Sequence, residues 1–303
     1  MTEELKNTTR TALLERLEGG ETAASVAKRA GISAGYISHI KAGRLAVPTG
    51  TGESAIGDHI WKALRAALGL AREVFETTHF QEITGRLYEA KTRGLARIID
   101  GETGLGKSFA IDEFQRQVPA GTYVVRCTNA MTTPEFVREI ARATGAAVQT
   151  GTKQALLEAT ARKLMREDQP LLVVDEAETM TKKAMSLSLL KDLYVLTNGT
   201  VGIVLVGAND FLGKLRLKAQ YKSENFPQLV SRFGTDPLLL GAIQPRDAAN
   251  IAASYGLTDR RTVANLLAAH PNYREFLEAL RQRQADAQAL EAAPAPATLK
   301  AAA

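Results

Sequence analysis

Apolar positions along this chain follow three rhythms in succession. Up to about residue 70 they recur at helical spacing. Leu13, Leu14 and Leu17 predict a first helix, residues 22–30 a second, Ile37 and Ile40 a third, and Ile56, Ile60, Leu64 and Leu68 a fourth. Gly19, Gly20, Gly31, Gly43 and Gly69 punctuate these patterns, and the turn-rich stretch 47–52 reads as a loop. The rhythm then changes. Short β-branched runs at 95–99, 122–126, 170–174 and 201–206 alternate with helical patterns at 107–117, 134–144, 153–167 and 182–197. Strands without polar alternation, set between amphipathic helices, predict a parallel sheet covered on both faces. Beyond residue 243 no strand-like run recurs, and 248–255, 259–269 and 273–288 read as helices.

These rhythms divide the chain into an all-α N-terminal domain (1–71), a linker (72–84), an α/β core (85–242), a C-terminal helical part (243–290) and an Ala/Pro tail (291–303) expected to be disordered. Composition changes this picture little. A chain of 303 residues with 45% hydrophobic and 23% charged residues is ordinary for a globular protein, and a net charge of +5 permits a nucleic-acid partner without requiring one. The single cysteine, Cys127, excludes an intramolecular disulfide and a cysteine-built metal site. The polar start is unlike a signal peptide, and no apolar run is long enough to span a membrane. The expectation is a cytoplasmic protein with no membrane partner.

Candidate chemistry concentrates in the α/β core. Gly101-Glu102-Thr103-Gly104-Leu105-Gly106-Lys107-Ser108, followed by Phe109, fits the pattern G-x-x-x-x-G-K-[ST] between a predicted strand and a predicted helix. Glycines let backbone N–H groups turn inward around phosphate oxygens, and the helix N-terminus adds partial positive charge. Lys107 is placed to reach the β- and γ-phosphates of ATP, and Ser108 to offer its hydroxyl to Mg²⁺. The apolar run 171–174 delivers Asp175 and Glu176 at its carboxyl end, where open α/β sheets bind ligands. Asp175 reads as the second Mg²⁺ residue and Glu176 as the group that orients and deprotonates the attacking water. Three more residues complete a hydrolytic set. Asn209 follows a strand and would contact the γ-phosphate or position the water. Arg232 would enter a neighbouring subunit's site as an arginine finger. Arg274 would sense nucleotide from the C-terminal helices.

A second module lies in residues 22–44. Val26, Ala27, Ile32, Ile37 and Ile40 supply a small core, Gly31 a tight turn and Ser33 an N-cap. This resembles a helix-turn-helix of the phage-repressor type. Its second helix would present Ser33, Gly35, Tyr36, Ser38, His39 and Lys41 to a major groove, while Lys28, Lys41 and Arg44 meet phosphates. A helical bundle for protein contacts would share the same core. His39 has no partner at metal-ligand spacing.

With these residues together, the chain resembles the AAA+ ATPases of DNA transposition, in particular the B proteins of Mu-like transposing phages. The anchors are the loop 101–108, Val173-Val174-Asp175-Glu176-Ala177 and Gly202-Ile203-Val204-Leu205-Val206-Gly207, in that order after a helix-turn-helix. The resemblance implies an ATP- and Mg²⁺-dependent protein of a bacterial host cell. Such a protein forms helical homo-oligomeric filaments on duplex DNA, selects target DNA and activates a DDE transposase. A helicase-loader-like ATPase of replication and a nucleotide-switched DNA-binding regulator are the alternatives. Two features depart from the family. Ala208 stands between Gly207 and Asn209, and the stretch 149–153 is less basic than the family's DNA-tracking run. That leaves Lys153, Arg162 and Lys163 as candidate DNA contacts in the core.

Overall fold

The computed structural model describes residues 3–44, 46–49, 52–68, 70, 74–147, 151–181, 184–221 and 226–292. The chain forms two compact units, Met1–Phe75 and Glu76–Ala303.

The first unit contains α1 (Glu3–Glu18), α2 (Ala23–Ala30), α3 (Ala34–Lys41), an antiparallel pair β1 (Ala46–Thr49) and β2 (Gly52–Ala55), and α4 (Asp58–Ala67). The pair occupies most of the stretch expected to be a loop. Thr22 opens α2 by accepting a hydrogen bond from Ser25 N at 3.2 Å. Gly31 ends it with φ 64°, a left-handed conformation that costs other L-residues about 1–2 kcal/mol. Ser33 then caps α3 by accepting from Gly35 N at 3.3 Å. The apolar faces of the four helices meet in a core of Leu13, Val26, Ile37, Ile40, Leu64 and Trp61, the chain's one tryptophan, which is fully buried. Arg10 ties α1 to the end of α3, donating to Ile40 O at 3.0 Å and Lys41 O at 3.1 Å.

The second unit runs α5 (Thr78–Arg93), β3 (Ala96–Gly101), α6 (Lys107–Gln117), β4 (Thr122–Arg126), α7 (Thr133–Thr144), α8 (Lys153–Leu164), β5 (Leu171–Asp175), a 3₁₀ turn (Ala177–Met180), α9 (Ala184–Leu196), β6 (Gly202–Gly207), α10 (Phe211–Gln220), α11 (Phe226–Phe233), β7 (Leu238–Leu240), α12 (Pro245–Ser254), α13 (Arg260–Ala269) and α14 (Tyr273–Ala292). The five strands make one parallel sheet in the order β4-β5-β6-β3-β7. Every residue of β5 and β6 is buried, as expected of central strands covered on both faces.

The structure differs from the sequence reading in several places. Residues 78–84, expected within a linker, are the first turns of α5, because Thr77 caps that helix by accepting from Phe80 N at 3.2 Å. The first strand begins at Ala96 and runs on to Gly101. β7, α10 and α11 were not anticipated. The tail from residue 293 and the positions 148–150 lie outside the described residues.

Candidate functional site

The parallel strands point their carboxyl ends the same way, and the loop 102–106 springs from the end of β3 into the first turn of α6. Gly104 and Gly106 have φ of 83° and 81°. At Gly104 the need is double, since a Cβ would also stand 2.7 Å from Asn272 Oδ1. Lys107 turns its ammonium back into the loop, donating to Gly101 O at 2.7 Å and Glu102 O at 2.8 Å. Burial pulls its pKa down, and the carboxylates of Glu178, Asp175, Asp100 and Glu176 oppose that pull.

On the far side of β6, β5 ends on Asp175, which is 2% exposed. Its Oδ1 accepts from Glu176 N at 3.0 Å. Its Oδ2 is buried with no hydrogen-bond partner among the described residues, and Arg126 Nε lies 3.7 Å away. Burial pushes the Asp175 carboxyl up. The Ser108 hydroxyl beside it works against that rise most, and the Glu176 N–H and Arg126 add to the opposition. An orphaned carboxylate oxygen next to a serine hydroxyl fits a hard divalent cation. Asp175 and Ser108 would hold Mg²⁺ here. When bound, the ion supplies positive charge toward phosphate oxygens.

Glu176 follows with φ 57°, a left-handed bend that takes its side chain out of the strand to an exposed position. Two residues on, in the 3₁₀ turn, stands Glu178, which the sequence reading passed over. Its Oε2 is buried without a hydrogen-bond partner among the described residues. Burial, followed by the hydrogen bond and charge of Glu176, pushes its pKa up to about 7. Spacing was the available signal, because a second acid two positions past Glu176 is held against the same turn. Cys127 lies near these carboxylates, but burial pushes its thiol up to about 12 and leaves it inert.

Of the remaining predicted residues, Asn209 joins the site. It follows β6 with φ 55°, and its Oδ1 accepts from Thr103 Oγ1 at 3.4 Å, so the extra Ala208 leaves it within reach of the loop. Arg232 is exposed near the end of α11, and Arg274 is exposed in the first turn of α14. At the start of α14 it is Asn272 and Tyr273 that face the loop, over Gly104 and Gly106. Asn272 also caps α14 by accepting from Glu275 N at 3.0 Å. Tyr273 packs edge-on against His79 of α5, with ring centroids 5.7 Å apart, and Phe80 packs on Phe109 at 6.3 Å. These partners come from the two ends of the unit, so sequence spacing carries no sign of them. On α8, Lys163 pairs with Glu167, and Arg162 lies 3.8 Å from Glu158. In the first unit Lys28, Ser33, Gly35, Ser38, Lys41 and Arg44 are exposed, while Tyr36 and His39 are half-buried.

The loop, the buried Asp175 and the parallel sheet define an α/β P-loop domain. Residues 91–215 match the family model described as AAA domain. Comparison with the curated proteins returned no match. Among solved structures, the chain is similar to the Aeropyrum pernix ORC1 protein in complex with DNA, at 16% identity and a TM-score of 0.48 over 70% of this chain and 61% of that one. It is similar to a replication initiator DnaA bound to AMPPCP and single-stranded DNA, at 15% and 0.48 over 72% and 65%. It is also similar to domain III of the Thermotoga maritima replication initiation protein DnaA, at 17% and 0.45 over 73% and 89%. The chain thus spans less than two thirds of the length of the first two.

Proposed function

We propose that this protein binds and hydrolyses ATP with Mg²⁺ and uses bound ATP to assemble as a helical filament on duplex DNA, where it selects target DNA and activates a DDE transposase. The observation that supports the nucleotide chemistry best is the loop lysine and an orphaned, buried Asp175 oxygen at the same end of the sheet, on strands β3 and β5 that flank β6. Lys107 holds phosphate charge, Asp175 and Ser108 hold the cation, and Glu176 orients the water and takes its proton. Asn209, beside Thr103, holds the far side of the γ-phosphate. Arg232 is free to act across a subunit boundary because it is exposed. The exposed face of α3 supports DNA docking by the first unit, and the resemblance of the motif order to transposition ATPases supports the biological role.

Electron microscopy of the protein with duplex DNA and a slowly hydrolysed ATP analogue tests this reading. Continuous coats on DNA are expected, and Lys107→Ala should abolish them. Closed hexamers or discrete dimers would count against filament assembly. Coats formed equally well by Lys107→Ala would remove the role of nucleotide.

A further inference from the structure

Four successive helices of the second unit, α5 to α8, pair cations with acids close by in sequence. Arg86 and Arg93 pair with Glu89 in α5, Arg116 with Glu113 in α6, Arg142 with Glu139 in α7, and Arg162 and Lys163 with Glu158 and Glu167 around α8. Each acid stands three or four residues from its cation, the spacing at which helix side chains meet. Helix α10, like α11 and α13, has no acid of its own, and it carries the most cations of the three. Its ten residues carry Lys214, Arg216 and Lys218 and no acid. Lys214 donates to the Asn209 carbonyl at 2.5 Å, and Lys218 lies 5.5 Å from the centroid of the Phe226 ring. Among the described residues, the acids at its head are Asp210, with its carboxylate over Gly213, and the buried Asp100, whose Oδ2 accepts from Leu212 N at 2.8 Å.

The packing of α10 fixes which side stays open. Phe211, Leu212 and Leu215 are buried. The opposite face shows Lys214, Leu217 and Tyr221 at spacings of three and four, with Arg216 and Lys218 on its two flanks. Leu217 is 53% and Tyr221 75% exposed. A face kept basic only for solubility gains nothing from a tyrosine and a leucine at its centre. A face that meets a polyanion gains from both, because tyrosine donates a hydrogen bond to a phosphate and an apolar side chain covers a sugar.

We propose that the open face of α10 is the core domain's contact with the phosphate backbone of duplex DNA, with Lys214, Arg216 and Lys218 supplying charge and Tyr221 a hydroxyl donor. This rests on the DNA-binding reading above. It places the contact on α10 instead of on α8, where Arg162 and Lys163 already have acidic partners.

The test is a salt series of duplex-DNA affinities for the full chain with a slowly hydrolysed ATP analogue, followed by fluorescence anisotropy. Each phosphate contact contributes about 0.9 to the slope of log affinity against log salt. Arg216→Gln with Lys218→Gln should flatten that slope by about 1.8 and weaken binding about tenfold or more at low salt. Arg216→Gln alone, which leaves the Phe226 contact in place, should flatten it by about 0.9. A double variant that melts and binds ATP like the wild type but keeps the wild-type slope and affinity overturns the proposal. So does wild-type binding confined to single strands. Binding that Lys41→Ala weakens while α10 variants do not would defeat α10 alone. A wild-type chain that fails to bind duplex DNA would defeat the functional reading and this proposal together.

Discussion

Glu176 and Glu178 share one turn but face different tasks. Glu176 bends out to an exposed position, where it can meet a water, while Glu178 keeps one oxygen buried. Glu176→Gln should lower ATP turnover by about 100-fold or more while ATP still binds, measured by phosphate release and by equilibrium binding. Unchanged turnover would remove Glu176 from the chemistry. Glu178 has a different readout. Its carboxyl titrates near 7 in the folded chain against an ordinary 4.5. Below pH 4.5 both folded and unfolded chains hold the proton. As pH rises through 7 the folded chain must surrender it at greater cost, so stability falls across that window. The metal-free protein should therefore melt a few degrees lower at pH 8 than at pH 5 from this group, an effect of about 1–2 kcal/mol after solvent screening. Glu178→Gln should flatten that part of the melting-temperature profile.

At the scale of elements, α5 carries more than its length suggests. Lys91 is 6% exposed and donates to Ala120 O at 2.7 Å and to Gln169 O at 2.8 Å, joining the loops that enter β4 and β5. Lys91→Met keeps the stem but leaves two carbonyls short of a donor, and should destabilise the second unit by about 2–4 kcal/mol in a denaturant melt. An unchanged midpoint would mean that water replaces the ammonium at little cost. The sequence shows only part of this architecture. Strands β5 and β6 are legible because a strand buried on both faces reads as an unbroken apolar run, and β3 and β4 because each holds a β-branched pair, Ile98-Ile99 and Val124-Val125. β7 is not, being three residues at the sheet edge with Leu239 60% exposed. The start of α5 carries apolar residues at helical spacing, but Thr77 and Thr78 read as a linker until the Thr77 cap is seen. The same contrast holds at the site. The loop 101–108 and Asp175 are legible because local chemistry fixes their spacing. Asn272, Tyr273 and His79 are brought to that loop only by tertiary packing.

For the whole molecule, the division into two units has a practical consequence. Trp61, fully buried among Leu13, Ile37 and Leu64, is the chain's only tryptophan and belongs to the smaller unit alone. Selectively excited tryptophan emission therefore reports the first core and is silent about the sheet, whereas far-ultraviolet circular dichroism sums the helices of both. Titrated with denaturant, the two signals should give non-coincident midpoints, and a slowly hydrolysed ATP analogue with Mg²⁺ should shift the dichroism transition while leaving the emission transition in place. Superimposable curves under both conditions would mean that the units unfold as one. The protein thus carries its own optical label, placed where it can separate events in the helical first unit from events at the loop 101–108 without any introduced dye.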